Sequence, residues 1–439
     1  MTPLKLPPLV ETRLSNGLAI VVAERHGLPL VAARLVVFAG SARDPVGKGG
    51  LASLTGEVLR RGTATRTAIE LDDAIERVGG GLYADVGRDS SELATSLPSA
   101  HLDAALDVLA DLAMHPAFPP AEVDLARRRT LASLARDLDD PAAVADRFIA
   151  REGFGEASPY GHPIHGRQKT VASLTRDDLV LFHRAAYTPA NAVLFVVGDV
   201  SADEARALAE KRFGAWTGAA PAPLAITPPV AGPARVVLVD KPDASQAQIR
   251  FVAPGLTEAS PDWPAAYAAN ACLGGGFTAI LMDEIRVKRG LTYGASSRFN
   301  DERSAGLFVF SSFTKNASIH ELASLARDLI AGFRATGPTA EQLEKAKAYV
   351  TGLYPLGLET NDQLCAALAS AAVKGLPFAS IADFPAKLAA VTPEQAKAAA
   401  AKYLPADAAT LVVVGEAKAA EAQLQGFGPI AKLPLSAAE

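Results

Sequence analysis

The chain repeats itself. Val171-Ala-Ser-Leu-Thr175 leads into a helical stretch, Tyr187, Pro189 and an apolar run from Ala192 to Val197 that ends in Gly198-Asp199. About 217 residues later, Leu388-Ala-Ala-Val-Thr392 leads into a helical stretch, Tyr403, Pro405 and an apolar run from Thr410 to Val414 that ends in Gly415-Glu416. A second echo pairs Pro120-Ala-Glu-Val-Asp-Leu125 with Pro338-Thr-Ala-Glu-Gln-Leu343 in the same order and at nearly the same offset. Both members set a proline near a first helical turn with an acid after it, where the helix dipole favours negative charge. One such echo is within the reach of chance; two in register favour duplication. The predicted organisation is therefore two homologous halves, 1–216 and 235–439, joined by an Ala/Pro-rich linker over 217–234. Such a composition reads as extended chain.

Within the halves the patterning mixes both kinds of element. Leu18 to Ala23, Val31 to Phe38, Val236 to Val239, Ala247 to Val252 and Gly306 to Ser312 alternate or run apolar, as strands do. Ile69 to Val78, Leu102 to Met114, Glu122 to Asp137 and Ile319 to Arg334 show helical spacing. Adjacent strands separated by long helices predict α+β halves with helices on one face of a sheet. A net charge of −5 argues against a nucleic-acid footprint, which needs a basic face. Two cysteines, Cys272 and Cys365, exclude a disulfide framework and a CxxC metal site. No apolar run approaches the roughly 20 residues of a membrane span; the nearest, Leu28 to Gly40, is short and carries Arg34. The first residues lack the apolar core of a signal peptide. The expectation is a soluble chain, cytoplasmic, or periplasmic if a leader has been trimmed.

The most informative stretch is Gly49-Gly50-Leu51-Ala52-Ser53-Leu54-Thr55-Gly56-Glu57-Val58-Leu59-Arg60-Arg61-Gly62-Thr63. Its frame resembles that of the pitrilysin, insulysin and mitochondrial-processing-peptidase family, the inverzincins, in which a Gly-Leu-Ala lead precedes HxxEH on a helix and a Gly-Thr follows. In that register the five motif positions fall on Ser53, Leu54, Thr55, Gly56 and Glu57. The chemistry needs two His on one helical face to hold zinc and a Glu between them to polarise the attacking water. The family's third ligand, a Glu on a later helix, falls within a residue of Ser133, in Arg129-Thr-Leu-Ala-Ser133-Leu-Ala-Arg-Asp-Leu-Asp-Asp-Pro141. Ser53, Gly56 and Ser133 thus stand for a ligand, the base and a ligand, and only Glu57 keeps a carboxylate. A catalytic zinc wants three protein ligands and an open position, so the resemblance implies no metal in this chain. Among the seven His only His162 and His165 are close in sequence, in Tyr160-Gly-His-Pro-Ile-His-Gly166. Pro163 argues against a helical pair, which favours a structural role over a metal role for them.

The second half keeps what the first has lost. Leu273-Gly274-Gly275-Gly276-Phe277, followed by Arg286 and by Tyr293 seven residues later, is similar to the family's C-domain signature: a Gly-rich loop, an Arg on a helix and a Tyr on the next strand. In the family these two side chains face the zinc across the cavity, which assigns Arg286 and Tyr293 the role of donors to substrate and transition state. The bland reading pairs Arg286 with Asp283 one turn back and makes Tyr293 a half-buried strand residue. Gly274, Gly275 and Gly276 read as a tight turn or a substrate gate; with no Lys-Ser or Lys-Thr after them, a nucleotide loop is excluded. Gly79-Gly-Gly-Leu82-Tyr83-Ala84-Asp85 matches a family strand whose edge takes up an extended peptide, so Tyr83 and Ala84 are candidate substrate contacts, although an ordinary hairpin edge has the same pattern.

The resemblance implies a clam-like shell of two halves, each a mostly antiparallel sheet covered by helices. It further implies a zinc-less subunit that completes the site of a zinc-bearing HxxEH homologue in a heterodimer, acting on peptide substrates and inactive alone. The alternative is a non-enzymatic peptide-binding or scaffold homologue. A recognition subunit of the mitochondrial-processing type fits less well, because the Gly-rich loop is short.

Overall fold

The computed structural model describes residues 4–405 and 409–439. They divide into two compact units. The first holds the chain up to Ser133 with Pro163–Ala225 and Pro355–Ala382; the second holds Leu134–His162, Ile226–Tyr354 and Asp383–Glu439. The compact units therefore exchange one segment relative to the sequence halves. Residues 217–234 carry neither helix nor strand.

The first unit is built on β1 (Leu9–Arg13), β2 (Ala19–Glu24), β3 (Leu30–Val37), β4 (Gly81–Val86), β5 (Ser91–Pro98) and β6 (Ala192–Gly198), in the order β1-β2-β6-β3-β5-β4. The second has β7 (Arg235–Asp240), β8 (Gln246–Pro254), β9 (Ala295–Asp301), β10 (Gly306–Lys315), β11 (Thr410–Gly415) and β12 (Ile430–Pro434), in the order β12-β7-β11-β8-β10-β9. The inner five strands correspond one to one. The outermost strand does not: β1 precedes β2 and pairs antiparallel with it, whereas β12 ends the chain and pairs parallel with β7. Pairing is antiparallel except at β2/β6, β7/β11 and β7/β12.

The sequence echoes mark equivalent helix starts. Thr175 and Thr392 both cap helices (Arg176–Ala186 and Pro393–Tyr403) through capping boxes with Asp178 and Gln395. The strand and helix positions read from periodicity fall within a few residues of the observed bounds.

One expectation is corrected. Helices cover both faces of each sheet, not one. On one face of the first sheet the core gathers Ile20, Leu35 and Leu194 with helices Leu51–Leu59, Leu102–Met114 and Arg176–Ala186. The other face, with Val21, Val36, Phe195 and Val197, is covered by Leu364, Cys365 and Leu368 of helix Asn361–Lys374, drawn from the second half of the chain. The second unit mirrors this: Val237, Val252, Val309 and Val412 are covered by Val144, Ala145 and Phe148 of helix Pro141–Phe154, drawn from the first half. The physical reason is the sequence of the inner strands. β6 and β11 read Ala-Val-Leu-Phe-Val-Val-Gly and Thr-Leu-Val-Val-Val-Gly, apolar at successive positions, which leaves no face for water.

The exchange is pinned in the same way twice. Arg34 on β3 pairs with Asp362 at 3.2 Å, and Arg250, 216 residues later on β8, pairs with Asp146 at 2.8 Å. Among the described residues no single helix is long and apolar enough to cross a membrane. Cys272 and Cys365 are free and buried, and burial pushes each thiol up to about 12.

Candidate functional site

Helix Leu51–Leu59 carries Ser53, Gly56 and Glu57, and the residues around it hold its ends in place. Gly50 caps the helix at φ 93°, in the left-handed region, and a Cβ there would lie 2.8 Å from the carbonyl oxygen of His165. Only glycine fits both demands. The orphan amides of the first turn are satisfied from outside the helix: the Asp44 carboxylate accepts from Gly50 N at 2.7 Å and Ala52 N at 2.8 Å. Burial pushes Asp44 up to about 7, against the pull of those amides. At the far end Thr63 donates to Asp111 at 2.7 Å, and Arg66 pairs with the same carboxylate at 2.8 Å. The Gly-Leu-Ala lead and the Gly-Thr tail thus hold the helix in place whatever lies between them.

What lies between them does not fit a zinc ion. Ser53 Oγ is 2.8 Å from His165 Nδ1. Glu57 is met from helix Pro120–Asp137 by Thr130 Oγ1 at 3.4 Å, one turn ahead of Ser133, and by Arg61 at 3.9 Å. Gly56 is buried, and a Cβ on it would lie 2.4 Å from Val86 Cγ2 on β4. The space beside Gly56 is therefore filled by a stiff neighbouring side chain, and the position carries no carboxylate. Among the described residues no group of three or more His, Cys, Asp or Glu could hold a metal ion. One carboxylate already engaged by a guanidinium, and a hydroxyl engaged by an imidazole, do not make a catalytic zinc set.

β4 is the edge strand of its sheet. Its backbone pairs only with β5; no hydrogen bond joins its other side to any described residue. Tyr83 projects outward, 66% exposed, while Leu82 is buried and Ala84 half-buried against the core. An open edge of this kind can accept an extended peptide as a further strand.

In the second unit the Gly-rich loop follows helix Trp263–Leu273. A Cβ on Gly274 would lie 2.4 Å from Ser297 Oγ, and one on Gly275 2.9 Å from Ala271 Cα, so both glycines are required by close packing. Gly276 is different: its Cβ would meet only the Tyr349 ring, at 3.7 Å. Arg286 lies on a π-helical turn, Met282–Lys288. Such turns occur mostly as single insertions and frequently at functional sites.

The pairing of Arg286 with Asp283 is not made. Asp283 and Glu284 both bond Lys288, at 3.0 and 2.6 Å. Arg286 instead places its guanidinium carbon 4.9 Å from the centre of the Phe277 ring and has no carboxylate partner among the described residues. Tyr293 is not on the next strand, as expected, but two residues ahead of β9. It is 78% exposed and its phenol has no partner among the described residues. The connector that presents it is pinned: Thr314 donates to Leu291 O at 2.7 Å and Ser312 to Gly294 O at 2.9 Å. The arrangement offers a cation and a phenol from a fixed backbone, neither hydrogen-bonded nor ion-paired to any described residue.

Sequence reasoning did not identify His165 as the partner of Ser53, Val86 as the side chain filling the space at Gly56, or Phe277 as the support of Arg286. Ser53–His165 and Gly56–Val86 join residues distant in sequence and Phe277 meets Arg286 across a loop; only the aromatic after three glycines was a visible signal.

Comparison with known proteins identifies the family and the fold. Residues 20–158 match the family model described as Insulinase (Peptidase family M16), and residues 173–350 match Peptidase M16 inactive domain. The chain is 28% identical over 403 residues to an uncharacterized zinc protease of Streptomyces coelicolor, covering 90% of this chain and 86% of that protein. It is 24% identical over 347 residues to the uncharacterized zinc protease YmxG of Bacillus subtilis, covering 79% and 84%. A crystal structure described as a peptidase M16 inactive domain from Pseudomonas fluorescens superposes with a TM-score of 0.87 at 28% identity, over 93% of this chain and 98% of that one. A protease from Helicobacter pylori shares the fold, with a TM-score of 0.85 at 20% identity over 93% and 100%. With family models matching both halves and the fold shared over nearly its whole length, the chain belongs to the insulinase family of peptidases, family M16, and carries that family's inactive-type domain.

Proposed function

We propose that this protein is the non-hydrolytic subunit of a two-chain metallopeptidase, lending substrate contacts to a zinc-bearing HxxEH homologue. The observation that carries the reading is the opposite state of its two sets of site residues. The motif positions Ser53, Gly56 and Glu57 are closed by His165, Val86, Thr130 and Arg61. Arg286 and Tyr293 are held on a pinned backbone with no hydrogen bond or ion pair to any described residue. A side chain retained purely for structure would be expected to find a partner.

The chemistry follows from donor geometry. Peptide hydrolysis develops negative charge on the former carbonyl oxygen. A fixed guanidinium and a phenol donate to that oxygen or to a neighbouring carbonyl, and loss of one such donor typically lowers turnover about 10²–10³-fold. The open edge of β4, with Tyr83 and Ala84, would hold the peptide by main-chain hydrogen bonds with little demand on its sequence. The metal belongs to the partner chain in this reading.

Affinity capture of the chain from its source cells, with the eluate assayed on a fluorogenic peptide with and without a zinc chelator, tests it. Co-elution of an HxxEH chain with chelator-sensitive cleavage is the expected result. A chain that elutes alone and inert would leave the non-enzymatic peptide-binding reading, which the open β4 edge also serves. Cleavage by the chain alone, abolished by chelator, would overturn the account of Ser53, Gly56 and Ser133.

A further inference from the structure

We infer that Phe277 positions Arg286 and, with Tyr349, forms a subsite for a large apolar side chain of the bound peptide. The inference rests on the reading of Arg286 as a donor to a peptide carbonyl.

Phe277 is 67% exposed at the end of the Gly-rich loop. A phenylalanine left in water gives up the burial that ordinarily stabilises it, so its place calls for a contact made there. That contact is Arg286, whose guanidinium carbon lies 4.9 Å from the ring centre. The neighbouring acids are engaged elsewhere, Asp283 and Glu284 both by Lys288. The mode of support matters. A carboxylate would fix Arg286 by occupying its N–H donors and neutralising its charge. An aromatic face attracts the cation through the ring quadrupole and leaves the N–H groups free for a carbonyl oxygen.

The surface beside the cation is apolar. Tyr349 and Leu353, one turn apart on helix Ala340–Leu353, are 54% and 47% exposed. The Tyr349 ring approaches Gly276, the one glycine of the three with open space where a side chain would be. A peptide that presents a carbonyl oxygen to Arg286 therefore sets an adjacent side chain among Phe277, Gly276 and Tyr349. Phe, Leu, Tyr or Met fits that surface. Asp or Glu would compete with the carbonyl for Arg286.

Two arms test the inference. In the first, crystal structures of the full chain are compared for wild type, Phe277→Leu and Phe277→Tyr. Arg286 should be ordered in wild type and in Phe277→Tyr, and disordered in Phe277→Leu, which keeps apolar bulk without a ring. In the second, the captured two-chain complex is assayed on peptides differing only by Phe or Asp beside the cleaved bond. Phe277→Leu should lower kcat about two- to fivefold, the scale of an exposed cation–π contact, and Phe277→Tyr should restore it. Tyr349→Ala should reduce the preference for Phe over Asp about tenfold through KM. An Arg286 equally ordered in Phe277→Leu, with kcat and side-chain preference unchanged while Arg286→Ala abolishes turnover, overturns this inference and leaves the proposed function standing. Full turnover in Arg286→Ala overturns both.

Discussion

The two units share a plan and differ where chemistry would take place. In the first, the site helix is held at both ends and closed in the middle, and the edge strand β4 is open. In the second, the edge strand β9 is engaged: Ser297 N donates to Gly274 O at 3.0 Å, and Asn270 Nδ2 donates to Ser297 O at 2.9 Å. There the Gly-rich loop bonds the outer side of β9, and Arg286 and Tyr293 make no hydrogen bond or ion pair to any described residue, Arg286 resting on the Phe277 ring. The two sheets correspond in all but their outermost strand. In the proposed function the first would offer a strand edge and the second a pair of donors. The comparison teaches that equivalent sheets carry different surroundings: side chains close around Ser53, Gly56 and Glu57 in the first unit, and Arg286 and Tyr293 make no hydrogen bond or ion pair to any described residue in the second.

The largest effect should come from the second unit. Arg286→Ala in the captured complex is expected to lower kcat about 10²–10³-fold, with thermal unfolding of the chain little changed, since Arg286 has no ion pair to a described residue and gives up only its contact with the Phe277 ring. Turnover at the wild-type rate would reduce the pair to surface residues and remove the functional contrast between the units.

Next comes a contrast in acid stability. His183, on helix Arg176–Ala186, is 8% exposed and donates through Nε2 to Ala113 O at 2.9 Å. Burial lowers it from 6.5 to about 4. The unfolded chain takes up this proton near 6.5 and the folded chain only near 4. Stability from the neutral imidazole is therefore full above pH 6.5 and is lost as pH falls to 4, by about 3 kcal/mol. The second echo member has Ala400, equally buried, at the matching position. Urea unfolding followed between pH 7 and pH 4 should show the first unit weakening in this window, and His183→Phe should flatten that slope. An unaltered slope would sink the assignment.

A smaller effect tests whether the base position is closed. Gly56→Glu should destabilise the first unit by about 1–3 kcal/mol, the usual range for overpacking, and Val86→Ala in the same chain should recover part of it. If Gly56→Glu is neutral in urea unfolding, the helix has room and the loss of the carboxylate carries no steric consequence.

The smallest expected change is at the open edge. Tyr83→Ala should weaken binding of a fluorescent extended peptide about two- to fivefold, the scale of one cross-strand pair. Fluorescence anisotropy on the chain alone is sufficient. Equal affinity in the two proteins would leave β4 an ordinary hairpin edge.

Much of this was legible in the sequence because it is local. The helix caps at Thr175 and Thr392, the apolar runs of β6 and β11 and the substitutions at Ser53, Gly56 and Glu57 all lie within a few residues of their cause. The sequence patterning predicts helices on one face only; the unbroken apolar runs of β6 and β11 need cover on both, and which helix supplies it is not local. Helices Asn361–Lys374 and Pro141–Phe154 each leave their own half, and nothing in a helix's periodicity names its partner. The same limit hid the ion pairs Arg34–Asp362 and Arg250–Asp146, whose members lie 328 and 104 residues apart.

The sequence by itself determined the internal echo, the family frame and the residue types at Ser53, Gly56, Glu57, Arg286 and Tyr293, since each is a matter of residue type at a spacing. The tertiary structure decided which of those residues are free. Asp283 stands one turn from Arg286 and bonds Lys288 instead; Phe277, nine residues back across a loop, holds the guanidinium. Gly56 lost a carboxylate in sequence, but only the packing of β4 fills its place with Val86. Partnership of a side chain depends on where folded backbone brings competing groups together, and that is set by packing across distant segments.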